Sequence, residues 1–154
     1  MRDYLRRLFE HLRWADERVL RLYESDPRLT GNPALRVLAH VAGAERVWLL
    51  RIRGESSAGQ PIWPEIGLPE IAALLAENAA AYAELVAAAD DEALDREVAH
   101  TNTKGVAFRT RLGDILLHVA LHGSYHRGQL ASAARAAGAE PVLTDYIEFA
   151  RTRA

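Results

Sequence analysis

Apolar residues recur at three- and four-residue steps along most of this chain, and that spacing is typical of amphipathic helices. Pro27 and Gly54 are suitable stops for the first two segments, because proline disfavours a helical residue before it and glycine favours a helix end. Asn32-Pro33 is a suitable N-cap and first-turn pair for the second segment. The predicted long helices cover residues 3–24, 33–53, 69–89 and 111–137.

Residues 90–110 break the helical pattern. Val98 and Phe108 lie on either side of Thr101-Asn102-Thr103-Lys104-Gly105, an arrangement that predicts a short hairpin-like excursion. A last short helix is predicted over 145–152. Four long helices predict an all-α four-helix bundle, and 154 residues are enough for a single domain spanning 1–154. The loop 54–67 is long for a tight turn, so it is interpreted as a crossover between parallel second and third helices.

Composition limits the function classes. A hydrophobic fraction of 49% and a charged fraction of 26% are typical of a soluble globular protein. The net charge of −2 and the lack of a sustained basic patch argue against nucleic-acid binding. We find neither an apolar signal core nor a membrane-length apolar run, so we expect a cytoplasmic protein without a membrane partner. The chain has no cysteine, so any thiol chemistry needs a small-molecule thiol.

Half of the six histidines fall in one stretch of the fourth helix, where His118, His122 and His126 are spaced four residues apart. A four-residue step places two side chains about 6 Å apart along one helix face, so two such imidazoles can reach one metal ion. The outer two lie about 12 Å apart and cannot share an ion. On a helical wheel, these histidines are predicted in the middle of the face that enters the core.

His40 lies in a matching apolar stripe of the second helix, so two helices can bring three imidazoles to one point. The same residues also fit a bundle without metal, in which the histidines form a buried hydrogen-bond network. Glu45 lies about 140° from His40 around the helix and is not predicted to be a ligand. His11 and His100 are outside both stripes and are interpreted as surface or hairpin residues. Arg127 points away from the histidines and is expected to meet an acidic partner or a helix end rather than the substrate.

Several segments along the chain form one pattern by their order and spacing, namely Trp14-Ala15-Asp16-Glu17-Arg18, 38–48, 101–105 with Phe108-Arg109, 117–129, and Pro141 with Thr144-Asp145-Tyr146. Together they resemble the DinB family of the DinB/YfiT-like superfamily over nearly the whole chain. One departure is Asp16, where the family often has asparagine.

The resemblance implies a four-helix bundle in up-down-down-up order and three metal ligands, His40, His122 and His126. It also implies a divalent metal ion, zinc or nickel, and a homodimer. The wider superfamily includes transferases and an isomerase that use low-molecular-weight thiols. A trihistidine site leaves a coordination position open, which is typical of catalytic zinc. We therefore predict a metal-dependent enzyme acting on a small-molecule substrate, with thiol-dependent S-transferase chemistry first and hydrolysis as an alternative.

A further alternative is a non-catalytic bundle that a metal ion braces. Gln129 is predicted to orient a ligand imidazole. His118 lies one turn from the site. It is interpreted as a proton shuttle or, as we favour, as a packed residue. Trp48 and Tyr125 either wall the open position or belong to the core. In the crossover loop, Trp63-Pro64 either forms a lid or caps the core.

Overall fold

Four long helices and a two-stranded sheet make up the fold. The structure is a computed structural model and describes residues 2–152. In chain order the elements are α1 (Arg2–Ser25), α2 (Leu35–Arg53), α3 (Leu68–Ala88), a short α4 (Asp91–Asp95), β1 (Glu97–Thr101), β2 (Ala107–Arg111), α5 (Leu112–Ala136) and a short α6 (Tyr146–Arg151). A 3-10 turn over Pro27–Leu29 follows α1. The prediction of a mostly helical protein is confirmed.

The ends of α2 show how local chemistry sets the helix bounds. Gly54 ends the helix with a φ of 72°, a left-handed conformation that glycine adopts without steric cost. The predicted start was wrong by two residues, since α2 begins at Leu35. The side chain of Asn32 accepts a hydrogen bond from the backbone N–H of Ala34 at 2.9 Å, so Asn32 closes a turn before the helix.

The predicted hairpin is present as an antiparallel β1–β2 pair, in which His100 lies opposite Phe108. Asn102 organises its turn, because its side-chain oxygen accepts hydrogen bonds from the backbone N–H groups of Lys104 and Val106. The segment before the hairpin was predicted without a helix, and this was wrong. Asp90 caps α4 by accepting a hydrogen bond from the N–H of Ala93 at 2.8 Å.

Each long helix packs against two others: α1 and α2 both contact α3 and α5. Residue numbers rise together along the α1–α5 contact, where Leu12 lies beside Gly123 and Tyr23 donates a hydrogen bond to the carbonyl of Leu130. They run in opposite senses along the α1–α3 contact, where Phe9 stacks on Tyr82 and Arg2 reaches the carbonyl of Ala87. Residue numbers also rise together along the α2–α3 contact, where Ala42 meets Asn78 and Glu45 meets Tyr82. They run in opposite senses along the α2–α5 contact, where His40 lies beside His126 and Trp48 beside His118.

The buried face of α5 is not centred on the histidines, which corrects the helical-wheel prediction. Its centre carries Val119, Gly123, Arg127 and Leu130, and the histidines lie along one edge. Gly123 permits this close packing, since a Cβ there would come within 2.8 Å of Leu12 on α1 and 2.9 Å of the Arg127 guanidinium. The histidine row therefore faces α2 at the margin of the core.

Among the described residues, α3 alone has the length and composition of a membrane-spanning helix, and 28% of its most apolar 18-residue window is buried. This is weak support for a membrane span. Much of the apolar character comes from alanine, and α3 packs along both α1 and α2. The globular arrangement indicates a soluble protein, and the cytoplasm as its compartment stays a prediction.

Candidate metal centre

Three histidine rings meet where α2 packs against α5. The Nε2 atom of His122 lies 3.2 Å from Nε2 of His40 and 3.1 Å from Nε2 of His126. The ligand nitrogens of all three rings lie within 4.8 Å of one another. His40 and His126 are buried, whereas His122 is half-buried. Two of the three rings are therefore shielded from solvent, and the ring of His122 is the more accessible one.

Hydrogen bonds on the far sides of two rings fix their tautomers. Nδ1 of His40 lies 2.8 Å from the carbonyl oxygen of Ile62, and a carbonyl only accepts, so this nitrogen carries the proton and donates. Nδ1 of His126 lies 2.9 Å from Oε1 of Gln129 and donates in the same way. Both rings therefore turn an unprotonated Nε2 toward the common centre, which is the tautomer that binds a metal ion.

The group is short of protons. If Nε2 of His122 carries a proton, that single hydrogen cannot satisfy two facing lone pairs with good geometry. Additional protons are disfavoured, because burial first, and then the neighbouring His126 and His40, lower the pKa of His122 to about 4. Burial also lowers the pKa of His40, although the hydrogen bond to Ile62 opposes this change. Converging imidazole lone pairs without protons fit a bound cation, so this donor set fits a divalent metal ion.

The loop between α2 and α3 forms one wall of the site. The Trp63 ring stacks on His40 with centroids 3.8 Å apart and planes within 9°. This loop lies directly on α2 because Gly43 has no side chain: a Cβ there would come within 2.8 Å of Pro64 and 2.9 Å of the Pro61 carbonyl. Gly43 and the Ile62 carbonyl are positioning groups that the sequence reasoning missed.

The other predicted site residues lie around the group without joining it. His118 is exposed, and its ring centroid is 5.6 Å from that of His122. Trp48 packs edge-on between His118 and His100, so it contacts the neighbourhood of the site and not the three rings. Tyr125 is 68% exposed and touches the edge of His126. The roles predicted for these residues, for Gln129 and for the three histidines as ligands stay predictions.

Two histidines outside the group differ in their surroundings. His100 lies on the hairpin as predicted, where Nε2 is 3.1 Å from Thr110 Oγ1. The expectation that His11 is a surface residue was wrong, since it is 6% exposed. Its ring lies among Trp14, Tyr146 and Phe149, and its Nε2 donates to the Thr144 carbonyl. Residues from α6 complete this cluster, and the local pattern of α1 gives no sign of them.

Arg127 meets an acidic group, as predicted, although it does so inside the bundle. NH1 of Arg127 lies 2.8 Å from Oδ1 of Asp16, and both side chains are almost wholly buried. Glu45 is also buried and stays outside the histidine group. The ion pair joins α1 to α5, on the opposite side of the buried face from the histidine row.

A helical bundle in which two helices bring three imidazoles together defines a candidate metal-binding bundle protein. The chain belongs to the DinB family, whose family model matches residues 1–153. The resemblance found in the sequence is thereby confirmed over essentially the whole chain. A comparison with curated proteins gave no match.

Proposed function

We propose that this protein binds one divalent metal ion, zinc or nickel, through Nε2 of His40, His122 and His126, and uses it as an enzyme. The observation that carries the proposal is the convergence of these nitrogens, two of which are left without protons by hydrogen bonds behind them. We further infer an up-down-down-up bundle. Its support is that α2 and α3 contact each other in parallel, as do α1 and α5.

The chemistry we infer is thiol-dependent S-transfer. A divalent ion held by these three neutral imidazoles would keep its full charge and would supply Lewis acidity, which stabilises a thiolate or activates water. Ile62 and Gln129 hold the rings of His40 and His126 in the binding tautomer. Trp63 covers the outer face of His40 and limits water access there. The chain supplies no cysteine, so the thiol would come from a low-molecular-weight cosubstrate. Its sulfur would displace a leaving group from a small electrophilic substrate, the leaving group would depart with the bonding electrons, and the thiol proton would pass to solvent.

His122 is the half-buried member of the group, so we infer that a substrate would approach the three rings from its side. His118 is exposed one turn away, where an imidazole can exchange protons with solvent. Activated water would give hydrolysis at the same position, and this remains the alternative reaction. A metal ion that only braces the bundle is the non-catalytic alternative. Homodimer formation stays a separate prediction, which light scattering on the purified protein tests.

Elemental analysis after dialysis tests metal binding. We expect about one metal ion per chain in the wild type, because the group has a single centre. His122→Ala should lose the ion, and His100→Ala, a histidine of the hairpin outside the group, should retain it. A folded wild-type protein that carries no metal and takes up neither added zinc nor nickel would refute the proposal.

Activity assays on the metal-loaded protein then separate the three functions. Consumption of a thiol together with an electrophile supports S-transfer, whereas turnover of an ester or amide without thiol supports hydrolysis. Loss of thermal stability on chelation, with no turnover in either assay and no ligand exchange at the ion, supports the brace. His122→Ala serves as the inactive control in each assay.

A further inference from the structure

A cavity lies between α1 and α3, and none of the three histidines lines it. Its volume is about 510 Å³, which is within the range of small-molecule pockets. The walls are mostly apolar and include Phe9, Leu20, Leu75 and Val86. Alanines of α3 form the outer wall, so the helix backbone of α3 lies close to the cavity. The cavity can therefore hold an apolar body of moderate size.

Glu45 lines this cavity although it belongs to α2, and it is only 4% exposed. Its Oε2 accepts a 3.3 Å hydrogen bond from Nδ2 of Asn78, an amide that also donates to the Ala42 carbonyl at 2.8 Å. Its Oε1 has no hydrogen-bond partner among the described residues. A buried acceptor without a donor is costly and uncommon, so this oxygen indicates a missing partner.

Asp16, the second acid of the cavity, has a cationic hydrogen-bond partner, which Glu45 lacks among the described residues. Asp16 also lines the cavity, and its carboxylate holds the Arg127 guanidinium at 2.8 Å. Burial raises the pKa of Glu45 well above its usual range, and the nearby Asp16 raises it further. Among the described residues, no cation makes a hydrogen bond or ion pair with Glu45. The empty site therefore favours the protonated acid, and a bound cation would lower the pKa of Glu45 and favour its carboxylate form. A donor that also carries positive charge would then satisfy both the unpaired oxygen and the charge.

The rim of the cavity carries charges of both signs, from Arg6, Glu10, Arg13 and Glu17. Arg13 and Glu17 lie 3.8 Å apart on the exposed surface of α1 and offset each other. The rim therefore does not select for anions, and the apolar walls with one unpaired acid at the floor decide which molecules fit.

The cavity is separate from the candidate metal centre. Glu45 and His40 lie about 140° apart around α2, because five residues separate them. The His40 ring faces α5 and the loop carbonyl of Ile62. The Glu45 side chain faces α3, where its Oε2 accepts a hydrogen bond from Asn78. A molecule in the cavity would approach the bundle from the α1–α3 side.

We propose that the α1–α3 cavity binds a small primary amine, whose apolar body fills the space between the helices and whose ammonium group donates to Oε1 of Glu45. The apolar walls bind the hydrocarbon part of the amine, and the buried carboxylate of Glu45 binds its ammonium group. This inference does not depend on the metal ion, and it assigns the chain a second ligand site.

Calorimetric titration with hexylamine tests the site, with 1-hexanol and hexanoate as probes of equal chain length. We expect the wild type to bind hexylamine more tightly than the alcohol and to reject the carboxylate. Glu45→Gln should weaken hexylamine binding about tenfold or more, because a charge-assisted hydrogen bond is replaced by a neutral one. Binding should be unchanged when EDTA removes any metal ion.

Ala80→Trp is a second test, since it adds bulk to an exposed residue that lines the cavity on α3, a different helix from that of Glu45. We expect it to abolish hexylamine binding while circular dichroism stays that of the wild type. No binding at millimolar hexylamine, or equal binding to wild type and Glu45→Gln, would overturn the proposal. It would also be overturned if Ala80→Trp turned a dimer into a monomer and the wild type did not bind the amine, since a second copy of the chain would then cover the groove.

Discussion

The Asp16–Arg127 ion pair predicts strongly non-additive stability effects. It lies at the α1–α5 contact with both side chains almost fully buried, and two nitrogens of Arg127, Nε and NH2, have no partner among the described residues. Removing one member of such a pair typically costs about 3–5 kcal/mol, because the remaining charge stays buried without compensation. Asp16→Leu is the cleaner single change, since a guanidinium does not lose its charge at accessible pH.

Replacing both members removes the desolvation cost together with the attraction. Burial is the largest influence on Asp16 and raises its pKa even though Arg127 lowers it, so the attraction does not fully repay burial of the charge. We therefore expect the double variant Asp16→Leu/Arg127→Met to lie within about 2 kcal/mol of the wild type. Simple addition of two single losses would give about 6–10 kcal/mol.

Urea unfolding followed by circular dichroism, with EDTA present, measures these free energies without a contribution from bound metal. The exposed pair of Arg13 and Glu17 is the matched control, and its removal should change stability by less than about 1 kcal/mol. Single variants that each cost less than about 1 kcal/mol, or a double variant that costs the full sum, would refute this reasoning.

Three further results are expected. Gly43→Ala should weaken metal binding, because a Cβ would push residues 61–64 away from α2 and withdraw the Ile62 carbonyl that orients His40. Metal titration measures this effect, and an unchanged affinity would contradict the role of this loop. Gln129→Ala should weaken metal binding about tenfold or more, whereas Gln60→Ala should not; equal affinities would show that the hydrogen bond to His126 is dispensable. Glu45 should make the protein less stable as pH rises, because its pKa is raised well above its usual value in the folded state, so the folded protein holds a proton that the unfolded chain has released. This loss begins above about pH 4.3, and Glu45→Gln should flatten the slope of unfolding free energy against pH; an unchanged slope would contradict the raised pKa.

The sequence predicted the helices because their apolar periodicity is a local signal. Helical stripes predicted that His40 meets histidines of the fourth helix, since bundles oppose such stripes, and the resemblance to the DinB family selected His122 and His126 among them. The helical-wheel prediction of the centre of the buried face on α5 was wrong. Arg127 looked polar and was assigned away from the core, yet the absent side chain of Gly123 gives it room to pair with Asp16 there.

Other features depend on chain segments that meet only in the folded protein. The carbonyl of Ile62 orients His40 from a loop, and a backbone acceptor has no signature in the amino-acid sequence. His11 is buried because Tyr146 and Phe149 of α6 pack on it from the far end of the chain. Local periodicity carries no information on such long-range neighbours.

The histidine group joins positions that are 82 residues apart, His40 and His122. Closing so long a loop costs chain entropy, so we expect α2 and α5 to meet late in folding. An ion held between them would then contribute little to the folding transition state and fully to the folded protein. Such an ion should slow unfolding while leaving the folding rate nearly unchanged, and it would extend the lifetime of the folded chain more than it hastens folding.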